Sequence, residues 1–226
     1  MKIVALVPMK ANSERVVGKN FKILGHKPLF KWIIDTLLEI KIIDQIVINT
    51  DAKTILKDKG LKKNSKILIR DRKKEIQGDL VSMNRIIQDD LDNIDSDIFI
   101  MTHTTNPFLK KLTIKKAIEQ YKILLKKNKY DSMFSVEKMQ DRFYDKDSKP
   151  INHNPNKLER TQDLEPLYKE NSNFYLFSKD SFIKNNNRIG NNPFKFEMSR
   201  IESIDIDNQE DWDLAEKLAS YNSSHD

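Results

Sequence analysis

The sequence predicts an α/β fold with a doubly wound, mostly parallel sheet and a small insertion late in the chain. Three observations lead there. Short apolar runs alternate with amphipathic stretches through the first 136 residues. Within the amphipathic stretches, apolar residues recur every three or four positions, the helical period. Near residue 137 the alternation stops and a polar, irregular segment takes over. Strand–helix alternation of this kind buries a parallel sheet on both faces. A chain of 226 residues fits one domain, 1–226, with an appendage at 137–170, and is long enough to bury a sizeable core.

The expected strands are KIVALVP (2–8), QIVINT (45–50), KILI (66–69), DIFIMT (97–102) and DSMFSV (131–136). The expected helices lie between them, in PLFKWIIDTLLEI, AKTILKDKG, LVSMNRIIQDDLDNI and LTIKKAIEQYKILLKK. Pro28 suits a first helical turn and Gly60 a helix stop. Beyond residue 137, DRFYDKDSKPINHN reads as a hairpin turning at KDSK, and NPNKLERTQDLEPLY as irregular chain. An insertion of this length is a lid, an oligomerisation arm or both. NFYLFS and ESIDID read as further strands, NQEDWDLAEKLASY as a terminal helix, and SYNSSHD as a fraying tail.

Composition narrows the function classes. A third of the residues are charged and 38% are hydrophobic. No apolar run approaches the ~20 residues that span a bilayer. The apolar start is too short for a signal peptide and has no small-residue cleavage site after it, so no membrane partner and a cytoplasmic setting are expected. With no cysteine, disulfides and thiolate chemistry are excluded. The formal charge of +6 is spread as lysine without a compact basic track, which disfavours nucleic acid and favours small anionic substrates.

Open α/β sheets bind ligands beyond the carboxyl ends of their strands. There the loop VPMKANSERVVGKN offers Lys10 and Lys19 as cations and Asn12, Ser13 and Asn20 as neutral partners, a set suited to phosphate. Both Gly-rich phosphate fingerprints are absent, so a solvated surface loop is the competing reading. Asp205 and Asp207, two apart on an expected strand, would present both carboxylates on one face. A divalent cation resolves that repulsion, and hard oxygen donors favour Mg²⁺. Asp207 could instead cap the terminal helix. Asp51 could touch ribose or metal, or cap the helix after it. His103, Thr104, Thr105 and Asn106 form a polar cluster suited to hydrogen bonding a ligand, although a lone histidine is commonly structural. Arg160, with Gln162 and Asp163 beside it, could hold a carboxylate or form a surface ion pair. Four histidines (26, 103, 153, 225) show no metal spacing and no Ser–His–Asp arrangement emerges, so positioning and charge neutralisation are the expected chemistry.

Taken in order, VPMKANSERVVGKN, GHKPLFKWIIDTLLE, VINTDA, RKKEIQGDLVS, TNPF, ERTQDLEPLYKENSNFYLF and SIDIDNQEDWDLAE resemble the motifs of the acylneuraminate cytidylyltransferases over nearly the whole chain. The resemblance implies a Rossmann-like sheet of the nucleotide-diphospho-sugar transferase type, with a small hairpin arm for dimerisation. It implies transfer of CMP from CTP to the anomeric hydroxyl of a sialic-acid-like nonulosonic acid, with release of pyrophosphate. CTP and an acidic sugar would be the partners, Mg²⁺ the cofactor and a homodimer the assembly. By resemblance, Lys19, Asp205 and Asp207 are catalytic, the two aspartates as metal ligands. Lys10, Asn12, Ser13, Lys19 and Asn20 would hold the triphosphate, with Arg72, Asp79 and Ser82 around the base. His103, Thr105, Arg160, Gln162, Asn171 and Tyr175 would face the sugar, and the arm would reach into a partner's active site.

Several positions depart from the family pattern. Lys10 stands where arginine is usual, replacing a fork with a point charge. Glu14 takes an often basic position and Val17 a proline. His103 replaces a glutamine, Leu109 an arginine, Glu165 a proline and Ser172 a glycine. The nucleotide half follows the pattern more closely than the sugar half. The expected acceptor is therefore a legionaminic- or pseudaminic-type acid, or a more distant one, rather than N-acetylneuraminate. The alternatives are a cytidylyltransferase for 3-deoxy-manno-octulosonate or another acid, and a CTP-binding homologue without turnover.

Overall fold

The computed structural model describes residues 1–223. Nine strands are formed by Ile3–Leu6 (β1), Ile23–Leu24 (β2), Lys27–Pro28 (β3), Gln45–Thr50 (β4), Ile67–Asp71 (β5), Ile98–Thr102 (β6), Ser132–Met139 (β7), Leu167–Phe177 (β8) and Pro193–Met198 (β9). The helices are Leu29–Leu38 (α1), Lys53–Asp58 (α2), Met83–Asn93 (α3), Lys111–Lys126 (α4), Lys179–Asn185 (α5) and Gln209–Ser223 (α6). A seven-stranded sheet has the order β5-β4-β1-β6-β8-β7-β9, and β2 pairs with β3 in a small ribbon. β8 runs antiparallel to β6 and β7, while the other pairings in the large sheet are parallel. The mostly parallel α/β sheet is as expected.

β1 lies mid-sheet and is buried on both sides, which is why its sequence is a continuous apolar run. Ile3 and Ala5 join the core formed with α1 and α4, through Phe30, Ile33, Ile114 and Ile118. Val4 and Leu6 join the opposite core with α3, through Ile87 and Leu91. Gly60 ends α2 as expected. It sits at φ +85, and the Gly60 N–H to Lys57 O and Leu61 N–H to Leu56 O bonds (3.1 and 2.9 Å) close the helix.

Several local expectations change. Pro28 belongs to β3 and stands just ahead of α1 rather than inside its first turn. ESIDID is not a strand. After β9 a turn through Ser199–Ser203 lifts the chain off the sheet, and one backbone bond, Ile206 N–H to Thr105 O at 2.9 Å, anchors the extended stretch that follows. β9 and α5 carry no pattern that sequence reading had separated from loop. The irregular arm is shorter than 137–170, because β7 continues to Met139 and β8 starts at Leu167. The hairpin forms around the Tyr144–Pro150 bridge, with Asp145 accepting from the N–H groups of Asp147 and Lys149 at 2.9 and 2.8 Å. Helix α6 runs through Ser223, and the rest of the expected fraying tail lies outside the described residues. Among the described residues no helix is long and apolar enough to cross a membrane.

The cap of α6 is made by Asn208, not Asp207. Asn208 Oδ1 accepts from the Asp211 N–H at 3.0 Å, while the Asp211 carboxylate accepts from the N–H groups of Asp207 and Asn208 at 2.9 and 3.0 Å. This is a reciprocal capping box. Asn208→Ala is expected to destabilise the fold by about 1 kcal/mol, read by urea denaturation; an unchanged midpoint would contradict this role.

Candidate active site

A cavity of about 420 Å³ opens beyond the carboxyl ends of β1, β5 and β6, walled by the loop after β1, the segment before α3 and residues 103–105. The loop after β1 is held at several points. The Met9 N–H donates to Asn49 O at 3.0 Å and the Ala11 N–H to Asp51 at 2.7 Å. Asp51 thus ties the loop to β4 and does not cap α2. Asn20 donates to Lys10 O at 2.8 Å and accepts from the Thr104 hydroxyl at 2.6 Å. Gly18, at φ +62, turns the chain into the single 3-10 turn that carries Lys19.

The loop brings Lys10, Ser13, Lys19 and Asn20 to the cavity. Lys19 is largely enclosed; its ammonium donates to Ile206 O and lies 3.9 Å from Asp207. Burial lowers its pKa, opposed by the charges of Asp207 and Asp205. Lys10 pairs with Asp79 from the segment before α3, and that contact, ahead of a hydrogen bond from Glu14, holds the Asp79 carboxyl below its usual range.

Arg72 is buried and bonds to Met9 O at 3.1 Å, Asn49 O at 2.7 Å and Asn49 Oδ1 at 3.1 Å. Asn49 in turn donates to Asp90 at 2.8 Å, and Asp90 pairs with Arg70. Arg72 therefore shapes the cavity floor by fixing two strand ends.

Burial pushes the Asp205 carboxyl up to about 6 against a hydrogen bond from Thr105, with Asp207 adding to the rise. Its Oδ1 is buried with no partner. Asp207 is exposed, 3.7 Å from Arg15, and lines the cavity. Released from capping, it stands with Asp205 beside Lys19. Among the described residues no group of three or more His, Cys, Asp or Glu side chains could hold a metal. The two carboxylates, one oxygen of them unsatisfied, fit a hard cation that takes its remaining ligands from phosphates and water.

His103 lines the cavity, and burial, then the charges of Arg188 and Lys19, lower its pKa to about 3. It is neutral at working pH. Because the folded value lies below the ordinary ~6.5, His103 favours unfolding as pH falls from 6.5 towards 3. His103→Gln is expected to narrow the stability gap between pH 7 and pH 5, read by urea midpoints. An equal gap in both proteins would contradict it.

Other expected residues lie elsewhere. Asn12 is exposed and outside the cavity wall, and Ser82 lines a neighbouring hollow. Arg160 and Gln162 sit on the arm, Arg160 paired with Asp163 at 2.7 Å and 73% exposed. Asn171 is buried against Ser203 at 2.9 Å. The Tyr175 ring is buried too, its hydroxyl meeting Glu170 and Arg188. Burial raises its pKa to about 12. Arg188 was missed by sequence reading; NNNRIG offers neither periodicity nor a charge partner nearby. Ser172 sits at φ +56, a left-handed position that favours glycine.

The cytidylyltransferase family model matches residues 4–224. The CMP-N,N'-diacetyllegionaminic acid synthase of Legionella pneumophila is 30% identical, over 98% of this chain and 98% of its own length. An N-acylneuraminate cytidylyltransferase of Streptococcus agalactiae is 25% identical over 94% of this chain, which spans only 52% of that protein. Among solved structures, a CMP:2-keto-3-deoxy-manno-octonic acid synthetase complexed with CTP has the same fold at 12% identity, with a TM-score of 0.67 and full coverage of both chains.

Proposed function

This chain belongs to the acylneuraminate cytidylyltransferase family, and from that membership we propose that it transfers CMP from CTP to the anomeric hydroxyl of a nonulosonic acid, releasing pyrophosphate. The observation that supports this best is the cavity itself, where Lys10, Lys19 and Asp207 line one space and Asp205 lies within the field of Lys19. Lys10 and Lys19 would draw the phosphates into the loop after β1, with the Ser13 hydroxyl as a neutral donor. The incoming hydroxyl oxygen bonds to the α-phosphorus as the bond from that phosphorus to the bridging oxygen breaks. Pyrophosphate departs and the hydroxyl proton passes to solvent. Lys19, desolvated and anchored on Ile206 O, is pre-placed for charge developing on the leaving group. Asp205 and Asp207 are the proposed Mg²⁺ ligands, and the bound cation would neutralise phosphate charge.

The proposed acceptor is of the legionaminic type, because the Legionella relative matches end to end while the sugar half departs from the acylneuraminate pattern. Pyrophosphate release with each nucleoside triphosphate and a panel of sugar acids tests this. The expected result is release with CTP, abolished by EDTA, and faster with diacetyllegionaminate than with N-acetylneuraminate. Robust turnover of N-acetylneuraminate alone would overturn the acceptor, and turnover in EDTA the metal. A homodimer is proposed from the arm, whose Tyr144, Ile151 and Leu158 are exposed apolar residues; a single-chain mass in light scattering would contradict it. A cytoplasmic setting follows from the need for CTP, and fractionation would check it.

A further inference from the structure

A second hollow of about 320 Å³ adjoins the nucleotide cavity and shares Met83 with it. Ser82, Asn84, Glu170, Asn187 and Arg188 supply its polar groups. Arg188 is held firmly. Its guanidinium carbon lies 3.9 Å from the Tyr175 ring centroid, and one nitrogen donates to the Tyr175 hydroxyl at 3.1 Å. That hydroxyl donates onward to Glu170, whose carboxylate lies 3.9 Å from Arg188. Stacking and the shared tyrosine fix both charges while leaving their outer edges open, Arg188 at 20% and Glu170 at 42% exposure. His103, on the wall of the nucleotide cavity, lies within electrostatic reach of both Arg188 and Lys19.

We propose that Arg188 and Glu170 form an acceptor subsite that reads an acylamino substituent of the sugar acid. This rests on the cytidylyl-transfer reading above. The pair is neutral overall, so the hollow gains little from a second full negative charge. It presents a rigid donor fork beside an acceptor, the complement of a secondary amide. Arg188 would donate to the acyl carbonyl and Glu170 would accept from the amide N–H. A hydroxyl in place of the amide would leave part of this pair unmatched once the sugar covers it, and such mismatches discriminate strongly.

The test compares kcat/KM for diacetyllegionaminate, N-acetylneuraminate and the deaminated nine-carbon acid that carries a hydroxyl instead of the acetamido group. Arg188→Ala should lower the values for the amide-bearing acids by about 10-fold or more, with little change for the deaminated acid and an unchanged KM for CTP. Glu170→Leu, which removes the N–H acceptor, should show the same selective loss, so the inference does not depend on one variant folding. Equal losses across the three acids, a shifted KM for CTP, or wild-type use of the deaminated acid as well as the amides would overturn the subsite. Failure of the wild type to turn over any acid would instead sink the cytidylyl-transfer reading on which it rests.

Discussion

Asp207→Asn is expected to lower kcat by about 100-fold or more while the protein melts as the wild type does. Asp207 is exposed and caps nothing, since Asn208 and Asp211 form the box that starts α6. Asparagine has the same shape and loses only the negative charge. That charge is one of two carboxylates offered to a phosphate-bound cation, and it also balances Lys19 at 3.9 Å. Steady-state pyrophosphate release measures the loss, and thermal unfolding checks the fold. Activity within a few-fold of wild type would remove Asp207 from the catalytic set.

Lys19→Met should cost still more in kcat/KM, about 1,000-fold, because Lys19 is the enclosed cation of the site and contributes charge where water is displaced. Its pKa is lowered chiefly by burial, so the folded protein carries this charge at a cost. Methionine keeps the length of the side chain and relieves that cost. The variant should therefore melt no lower than the wild type, and the clearest sign of a functional lysine is that pairing of lost activity with kept stability. A variant that loses both would make Lys19 a structural tie between the β1 loop and Ile206. Lys10 should be less sensitive, since it is more exposed and its apo partner is Asp79.

Much of this was legible in the residues. Burial of β1 on both faces follows from its unbroken apolar run, and the basic loop after it could be placed at the strands' carboxyl ends. The Asp205–Asp207 pair was found by spacing, although the strand assigned to it was not. A period of two appears wherever chain is extended, and here one backbone bond to Thr105, rather than a ladder, holds it. The choice between ligand and cap for Asp207 turned on Asn208, a stronger cap one residue later whose reach depends on where α6 begins. Contacts between distant segments were not legible. Lys10 and Asp79 are 69 residues apart, and Arg188 gains its meaning only when β8 brings Tyr175 and Glu170 beneath it. Arg160 and Gln162 lie on the arm, outside the residues that line this chain's cavity.

The most direct test of the central claim is phosphorus NMR of the wild-type protein with CTP, Mg²⁺ and diacetyllegionaminate. The account predicts that the triphosphate signals are replaced by pyrophosphate and one phosphodiester, in equal amounts. Inorganic phosphate with CDP, or bound CTP that persists unchanged with every acid, would contradict it.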